Sequence, residues 1–261
     1  MTEKFDEAAK GIRILPGLWR PHFEYEHIAW VSPPWPGEDY IWLDFPEAIF
    51  CNLGLLYLSH RNPDYPVVFP DIAKVPWETL TDGIGFTRRL PDGIEFGGSV
   101  RRKDASRVAL ELSLNNQSDR PLTDITLQTC AYLRAIKEFA EYTSDNKFVH
   151  VPEAGWMRFE KARKTGREDG QFRIGWREGP KASDLPVIAT ISAQAERLVA
   201  MTWYEGTYSF VGNPRHPCVH ADPFFPDLQP GEQASIHGEL IFFEGSLEAF
   251  EEWFREEAHK A

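Results

Sequence analysis

The stretch Arg107-Val108-Ala109-Leu110-Glu111-Leu112-Ser113-Leu114-Asn115-Asn116-Gln117-Ser118-Asp119-Arg120-Pro121-Leu122 decides how this chain folds. On an extended backbone Val108, Leu110, Leu112 and Leu114 share one face, and Ala109, Glu111 and Ser113 share the other. A slip of one residue would put all four large apolar side chains into water, so the register is strongly specified. The polar run 116–121 reads as a turn. Residues 94–102 precede this unit as a strand and 122–133 follow it as a returning strand. Antiparallel strands near the centre of a large sheet are therefore expected over 94–133.

Working outward, more β signals appear. Residues 49–59 read as a buried strand pair or one long strand, and 62–93 as a Pro-, Asp- and Gly-rich excursion. Residues 187–193 and 197–204 form a pair joined by Gln194-Ala195-Glu196, and 234–244 is a strand entered from the turn Gln229-Pro230-Gly231-Glu232. Before Trp42 the chain is aromatic and β-like, with His22, Glu24 and Glu26 alternating against Phe23, Tyr25 and His27; residues 1–11 suggest a short acidic helix or arm. One helix is convincing, at 246–258: Ser246 suits the N-cap, and Leu247, Phe250, Trp253 and Phe254 make a single apolar stripe. No repeat or linker interrupts the chain, so the expectation is one mostly β domain over 1–261, a large antiparallel sandwich with a C-terminal helix.

The chain has 261 residues, 42% hydrophobic and 26% charged, an ordinary globular balance. Its formal charge of −12 argues against nucleic acid and anionic membranes as partners, since both need a basic footprint. No apolar run is long enough for a membrane helix, and the charged start Met1-Thr2-Glu3-Lys4 lacks a signal-peptide core; a cytoplasmic location is expected. Three scattered Cys make neither a disulfide framework nor a CxxC zinc knuckle. Nine Trp is a high count, and it fits either sugar-stacking surfaces or core filling.

The hairpin pattern from Val108 to Leu122 resembles the mid-sheet hairpin of galactose-mutarotase-like β-supersandwich domains. The stretch Asn213-Pro214-Arg215-His216-Pro217-Cys218-Val219-His220-Ala221-Asp222-Pro223, continued by Pro230-Gly231-Glu232, is similar to bacterial proteins of the same build. The resemblance implies a sandwich carrying sugar chemistry, as in epimerases, polysaccharide lyases and glycoside hydrolase accessory domains.

Titratable residues concentrate at 203–223, where three prolines and two glycines suggest a long loop. Glu205 is the leading general acid or base, with Tyr204 beside it as a proton donor. His216 and His220 are four apart and, on an extended chain, would share a face with Asp222. With His60 or His150 they could hold zinc, manganese or iron, so a divalent metal on His60, His216 and His220 is the one cofactor implied. No glycine-rich phosphate motif points to a nucleotide. His60 and Arg61 end a strand, and Arg61 could grip a carboxylate. Trp156 and Trp203 could stack on a sugar ring. Catalysis is thus expected of Glu205, His216, His220 and Tyr204, with His60, Arg61, Trp156, Trp203 and Asp222 binding substrate. The function expected is a carbohydrate-active enzyme, of hydrolase, lyase or epimerase type, acting on a sugar or oligosaccharide. A metal-dependent cupin-like enzyme and a non-catalytic sugar-binding module are the alternatives.

Overall fold

Two antiparallel sheets, stacked face to face, bury one large core between them. The structure, a computed structural model, describes residues 11–17, 27–37, 39–60, 64–140, 145–162, 173–175, 183–212 and 217–258. The chain starts in the first sheet with β1 (Ile14–Gly17), β2 (Ile28–Val31), β3 (Ile41–Cys51) and β4 (Gly54–Leu58). It crosses to the second sheet for β5 (Glu78–Leu80), β6 (Gly83–Arg89), β7 (Ile94–Arg102) and β8 (Arg107–Asn116), then returns for β9 (Thr126–Tyr132). Strands β10 (Lys147–Val151) and β11 (Gly155–Arg158) join the second sheet, and β12 (Arg173–Gly175) the first. A hairpin of β13 (Val187–Ile191) and β14 (Arg197–Trp203) lies in the second sheet, another of β15 (Thr207–Gly212) and β16 (Cys218–Pro223) in the first, and β17 (Gln233–Glu244) closes the second. The first sheet runs β1-β2-β3-β9-β16-β15-β12 with β4 also on β3; the second runs β11-β10-β13-β14-β17-β8-β7-β6-β5.

The sandwich and the buried stripe agree with the sequence reading. Val108, Leu110, Leu112 and Leu114 are at most 2% exposed, and β8 lies between β7 and β17. The hairpin, however, is β7–β8, not 106–133. After β8 the chain leaves the sheet: β9 pairs with β3 and β16 on the opposite layer. The polar run is the hinge of that crossing. Asn116 Nδ2–H donates to the carbonyls of Arg120 and Leu228, and Leu122 bridges Leu228, so the turn is tied to the chain before β17 and never folds β9 back onto β8. The excursion 62–93 also needs correction, since it contains β5 and β6 at the edge of the second sheet.

A second, smaller apolar cluster covers the outer face of the second sheet. The C-terminal helix, Leu247–Ala258, lays Phe250 and Phe254 on Val187, Ala189, Leu198, Ala200 and Ile241. Gly245 at φ 143° ends β17, and Ser246 Oγ accepts the Ala249 N–H at 3.3 Å as the N-cap. Among the described residues no helix is long and apolar enough to cross a membrane.

Candidate active site

The region expected to be a loop at 203–223 is largely a β-hairpin. Strand β16 alternates: Val219 and Ala221 enter the core between the sheets, so Cys218, His220 and Asp222 project from the outer face of the first sheet. The prolines bracket the strand rather than break it, since Pro217 and Pro223 sit at its two ends. Neighbouring strands add to the same face. Trp30 pairs with Trp42, Trp42 with Tyr132, and Tyr132 with Cys218, giving an aromatic row across β2, β3 and β9 that ends at β16. The next row brings Asp44 opposite Cys130. Strand β3 then bulges: its pairing with β9 jumps from Asp44↔Cys130 to Ala48↔Gln128. That irregularity lets Glu47, three residues past Asp44, join Asp44 on the outer face.

The resulting cluster is dense and mostly buried. His60 Nε2 lies 3.4 Å from Glu47 Oε1, and its Nδ1 3.7 Å from Asp44 Oδ2. On the other side of Glu47, Oε2 stands 3.6 Å from His220 Nδ1, which is also 3.6 Å from Asp222 Oδ1. Asp222 is 2% exposed and well held: Ser209 Oγ–H donates to Oδ2 at 2.8 Å and the Thr129 N–H to Oδ1 at 3.3 Å. Ser59 Oγ–H donates to Asp44 Oδ2 at 2.6 Å. Three buried atoms are left without a hydrogen bond at normal length: Asp44 Oδ1, Glu47 Oε2 and His220 Nδ1. Such orphans are costly in a folded protein and mark places where a ligand or proton supplies what the chain does not.

Burial sets the protonation. Burial raises Glu47 to about 7, with the His220 charge opposing and Asp44 reinforcing the rise. Asp44 is also raised by burial, against hydrogen bonds from His60 and Ser59. Burial alone would lower His220, but the Asp222 carboxylate at 3.6 Å, the Cys218 sulfur and the nearby Glu47 hold it well above the usual histidine range. Near neutral pH, then, a carboxylate on the verge of ionising faces a protonated imidazole, the arrangement that acid–base chemistry requires.

The structure places His60, His220 and Asp222 in this one cluster, where His60 reaches His220 only through Glu47. Tyr204 and Glu205 are placed elsewhere. Glu205 accepts the backbone N–H of His237 at 2.7 Å and pairs with its ring at 2.5 Å, exposed beside the second sheet. Tyr204 packs under the C-terminal helix, where burial and the Glu239 carboxylate raise its hydroxyl's pKa. Trp203 is fully buried, stacked on Phe45 at 6.1 Å with its Nε1–H on the Ala221 carbonyl at 2.8 Å, so it offers no face to a ligand. Trp156 lies against His150 and Phe250 in the helix cluster. Arg61 and His216 lie outside the described residues, as does His22. The carboxylates Asp44 and Glu47 and the thiol Cys130 complete the cluster and were not singled out from sequence. The available signal was Ile41-Trp42-Leu43-Asp44-Phe45, an alternating strand with a carboxylate among aromatics on its polar side.

No protein-family model and no curated protein matches this sequence. Solved structures do match. A GalM/aldose epimerase homologue from C. elegans is 11% identical, over 91% of this chain and 97% of its own, with a TM-score of 0.51. The α-N-acetylgalactosaminidase NagBb from Bifidobacterium bifidum, in complex with GalNAc, is 10% identical over 95% of this chain and 38% of its own, with a TM-score of 0.51. The fold is a galactose-mutarotase-like β-sandwich, one that an aldose epimerase homologue and a glycosidase also use.

Proposed function

We propose that this chain is a carbohydrate-active enzyme that opens and recloses the ring of an aldose by acid–base catalysis on the outer face of the first sheet. The observation that carries the reading is the Glu47–His220 pair: two buried, unsatisfied groups 3.6 Å apart, one poised to take a proton and one to give it. A sugar hemiacetal bears two oxygens on a single carbon, so a base and an acid standing side by side can serve both. Glu47 takes the proton of the anomeric hydroxyl while His220 delivers its proton to the ring oxygen; the C1–ring oxygen bond breaks and a carbonyl forms. Reclosure on the other face of that carbonyl returns both protons and gives the other anomer. Asp222 is the positioning residue that holds the imidazole and favours its charged form. Trp30, Trp42 and Tyr132 line the same face beside the pair, where aromatic rings suit the C–H face of a sugar.

Glycoside hydrolysis fits less well. This holds for the inverting route: an oxygen of Asp44 and one of Glu47 lie within 4.8 Å of each other, short of the roughly 6.5–9.5 Å that leaves room for a water, and Glu205 and Asp222 are held by separate partners, His237 and Ser209. The test is anomer interconversion followed by polarimetry or exchange NMR on a panel of free aldoses. Acceleration that is lost in His220→Asn and Glu47→Gln supports the reading. A wild-type protein that accelerates none of them, yet binds sugar with both variants unimpaired, would make the chain a binding module.

A further inference from the structure

The groups outside the acid–base reading are Cys130 and Cys218, which flank His220 on the same face. Cys218 Sγ lies 3.6 Å from His220 Nε2, and Cys130 Sγ, Cys218 Sγ and one ring nitrogen of His220 all fall within 4.8 Å of one another. None of the chain's cysteines forms a disulfide. We propose that Cys130, Cys218 and His220 form a binding site for a thiophilic divalent cation of the zinc class, and that its occupation switches the sugar site off.

Tetrahedral zinc with ordinary bond lengths places a sulfur and a nitrogen ligand about 3.6 Å apart and two sulfurs about 3.8 Å apart. The Cys218–His220 spacing already has the first value. Closing the second needs a shift of at most about 1 Å from the 4.8 Å limit. The other side of the imidazole is equally suited. His220 Nδ1 faces Asp222 Oδ1 and Glu47 Oε2 at 3.6 Å, so a metal on Nε2 would leave Nδ1–H to point at carboxylates. A carboxylate behind a metal-binding histidine fixes the ring's tautomer and strengthens the ligand. Two thiolates and an imidazole select zinc over magnesium or calcium, which prefer oxygen. Cys130 is partly buried, and a water would fill the fourth position.

The inhibitory half rests on the assignment of His220 as the acid; the site itself does not. A metal on Nε2 takes the place of that nitrogen's proton and the two thiols lose theirs, so His220 keeps only Nδ1–H on a metal-bound neutral ring, a much weaker acid than imidazolium, while Glu47, Asp44, Asp222 and His60 still surround it. Binding releases the thiol protons and therefore tightens as pH rises.

The experiment uses the full chain, reduced and free of air, titrated with Co²⁺. The expected result is a thiolate-to-cobalt charge-transfer band with the strong visible bands of tetrahedral cobalt, reversed by Zn²⁺. Cys130→Ser loses the band, Cys51→Ser keeps it, and Cys130→Ala serves in its place if the serine variant does not fold. An absent band, or one unchanged in both Cys130 variants, overturns the site whatever the protein does with sugars. Where the aldose activity is found, saturating Zn²⁺ lowers kcat/KM on the order of 10²-fold, the usual worth of a general acid, and the rate of Cys130→Ser, whatever its metal-free value, does not fall further with zinc. Cobalt binding without inhibition overturns the switch.

Discussion

The two outer faces of this sandwich both bury charged groups, and they treat them in opposite ways. Under the C-terminal helix the charged and titratable groups have partners at contact distance, and the one buried carboxylate oxygen there without a hydrogen bond is Glu239 Oε2, among the described residues. His150 sits between Asp184 at 2.5 Å and Glu251 at 3.2 Å; Lys103 meets Glu239 at 2.5 Å; Arg107 links Asp104 at 2.5 Å to Glu257 at 2.9 Å. On the first sheet, Glu47, His60, His220 and Asp222 stand 3.4–3.6 Å apart, with orphaned atoms on Asp44, Glu47 and His220. A buried pair broken on one side costs several kcal/mol, so matched pairs mark structure. Mismatched ones survive only where something else compensates, and function is the usual reason.

The largest expected effect is on the helix face. Truncation after Gly245 removes the fully buried Phe250 and Phe254 and uncovers the apolar surface of β13, β14 and β17. At roughly 1.5–3 kcal/mol for each buried aromatic, stability should fall by about 3–6 kcal/mol in urea unfolding. An unchanged urea midpoint would show that the helix adds nothing and that the contrast between the faces is false.

Next is His220→Ala, which should cut aldose turnover on the order of 10²–10⁴-fold while the circular dichroism spectrum stays native. His150→Ala is its counterpart: it leaves Asp184 and Glu251 without their shared partner, so it should lower stability and spare the rate. If His150→Ala abolishes turnover and His220→Ala does not, the assignment of the two faces is reversed.

The third effect is a dependence on pH. Glu47 titrates near 7 in the fold against 4.5 in the unfolded chain, so the folded state prefers the proton. Stability from this group is complete below about pH 4.5 and is lost as pH rises toward 7, by an amount on the order of 1–3 kcal/mol. Asp44 and His220 are raised too and add slopes of the same sign. Glu47→Gln should flatten the fall in melting temperature between pH 5 and 8. Turnover should move the other way, rising through about pH 7 as the base ionises and falling only where His220 gives up its proton. Equal slopes in wild type and variant would remove Glu47 from the cluster's titration.

What could be read from the sequence follows the same division. The stripe Val108, Leu110, Leu112 and Leu114 has the long, regular period that makes a buried strand legible, and the helix has a cap and a stripe. The destination of the chain after Asn116 was not legible, because the bonds from Asn116 to Arg120 and Leu228 join residues up to 112 apart. The site was half legible: the alternation of Cys218, His220 and Asp222 is local. Asp44 and Glu47 reach the outer face together only through the irregular pairing of β3 with β9, which no local pattern reports. Glu205 was misleading for the same reason. It stands four residues from Ser209, which binds Asp222, yet its partner is His237 on the other sheet.

Glu205 therefore gives the smallest effect and the sharpest check on the comparison. It is 43% exposed and its partner His237 57%, so the pair is screened by water and worth about 0–1 kcal/mol. The carboxylate also caps the His237 N–H, which glutamine can still do through its carbonyl oxygen. Glu205→Gln should therefore leave both the melting temperature and aldose turnover almost unchanged, as should His237→Ala. A Glu205→Gln protein that folds normally but turns over a hundredfold more slowly would place the chemistry at the edge of the second sheet, with Glu205 and His237 as its acid and base, and would leave the mismatched cluster on the first sheet without its proposed role.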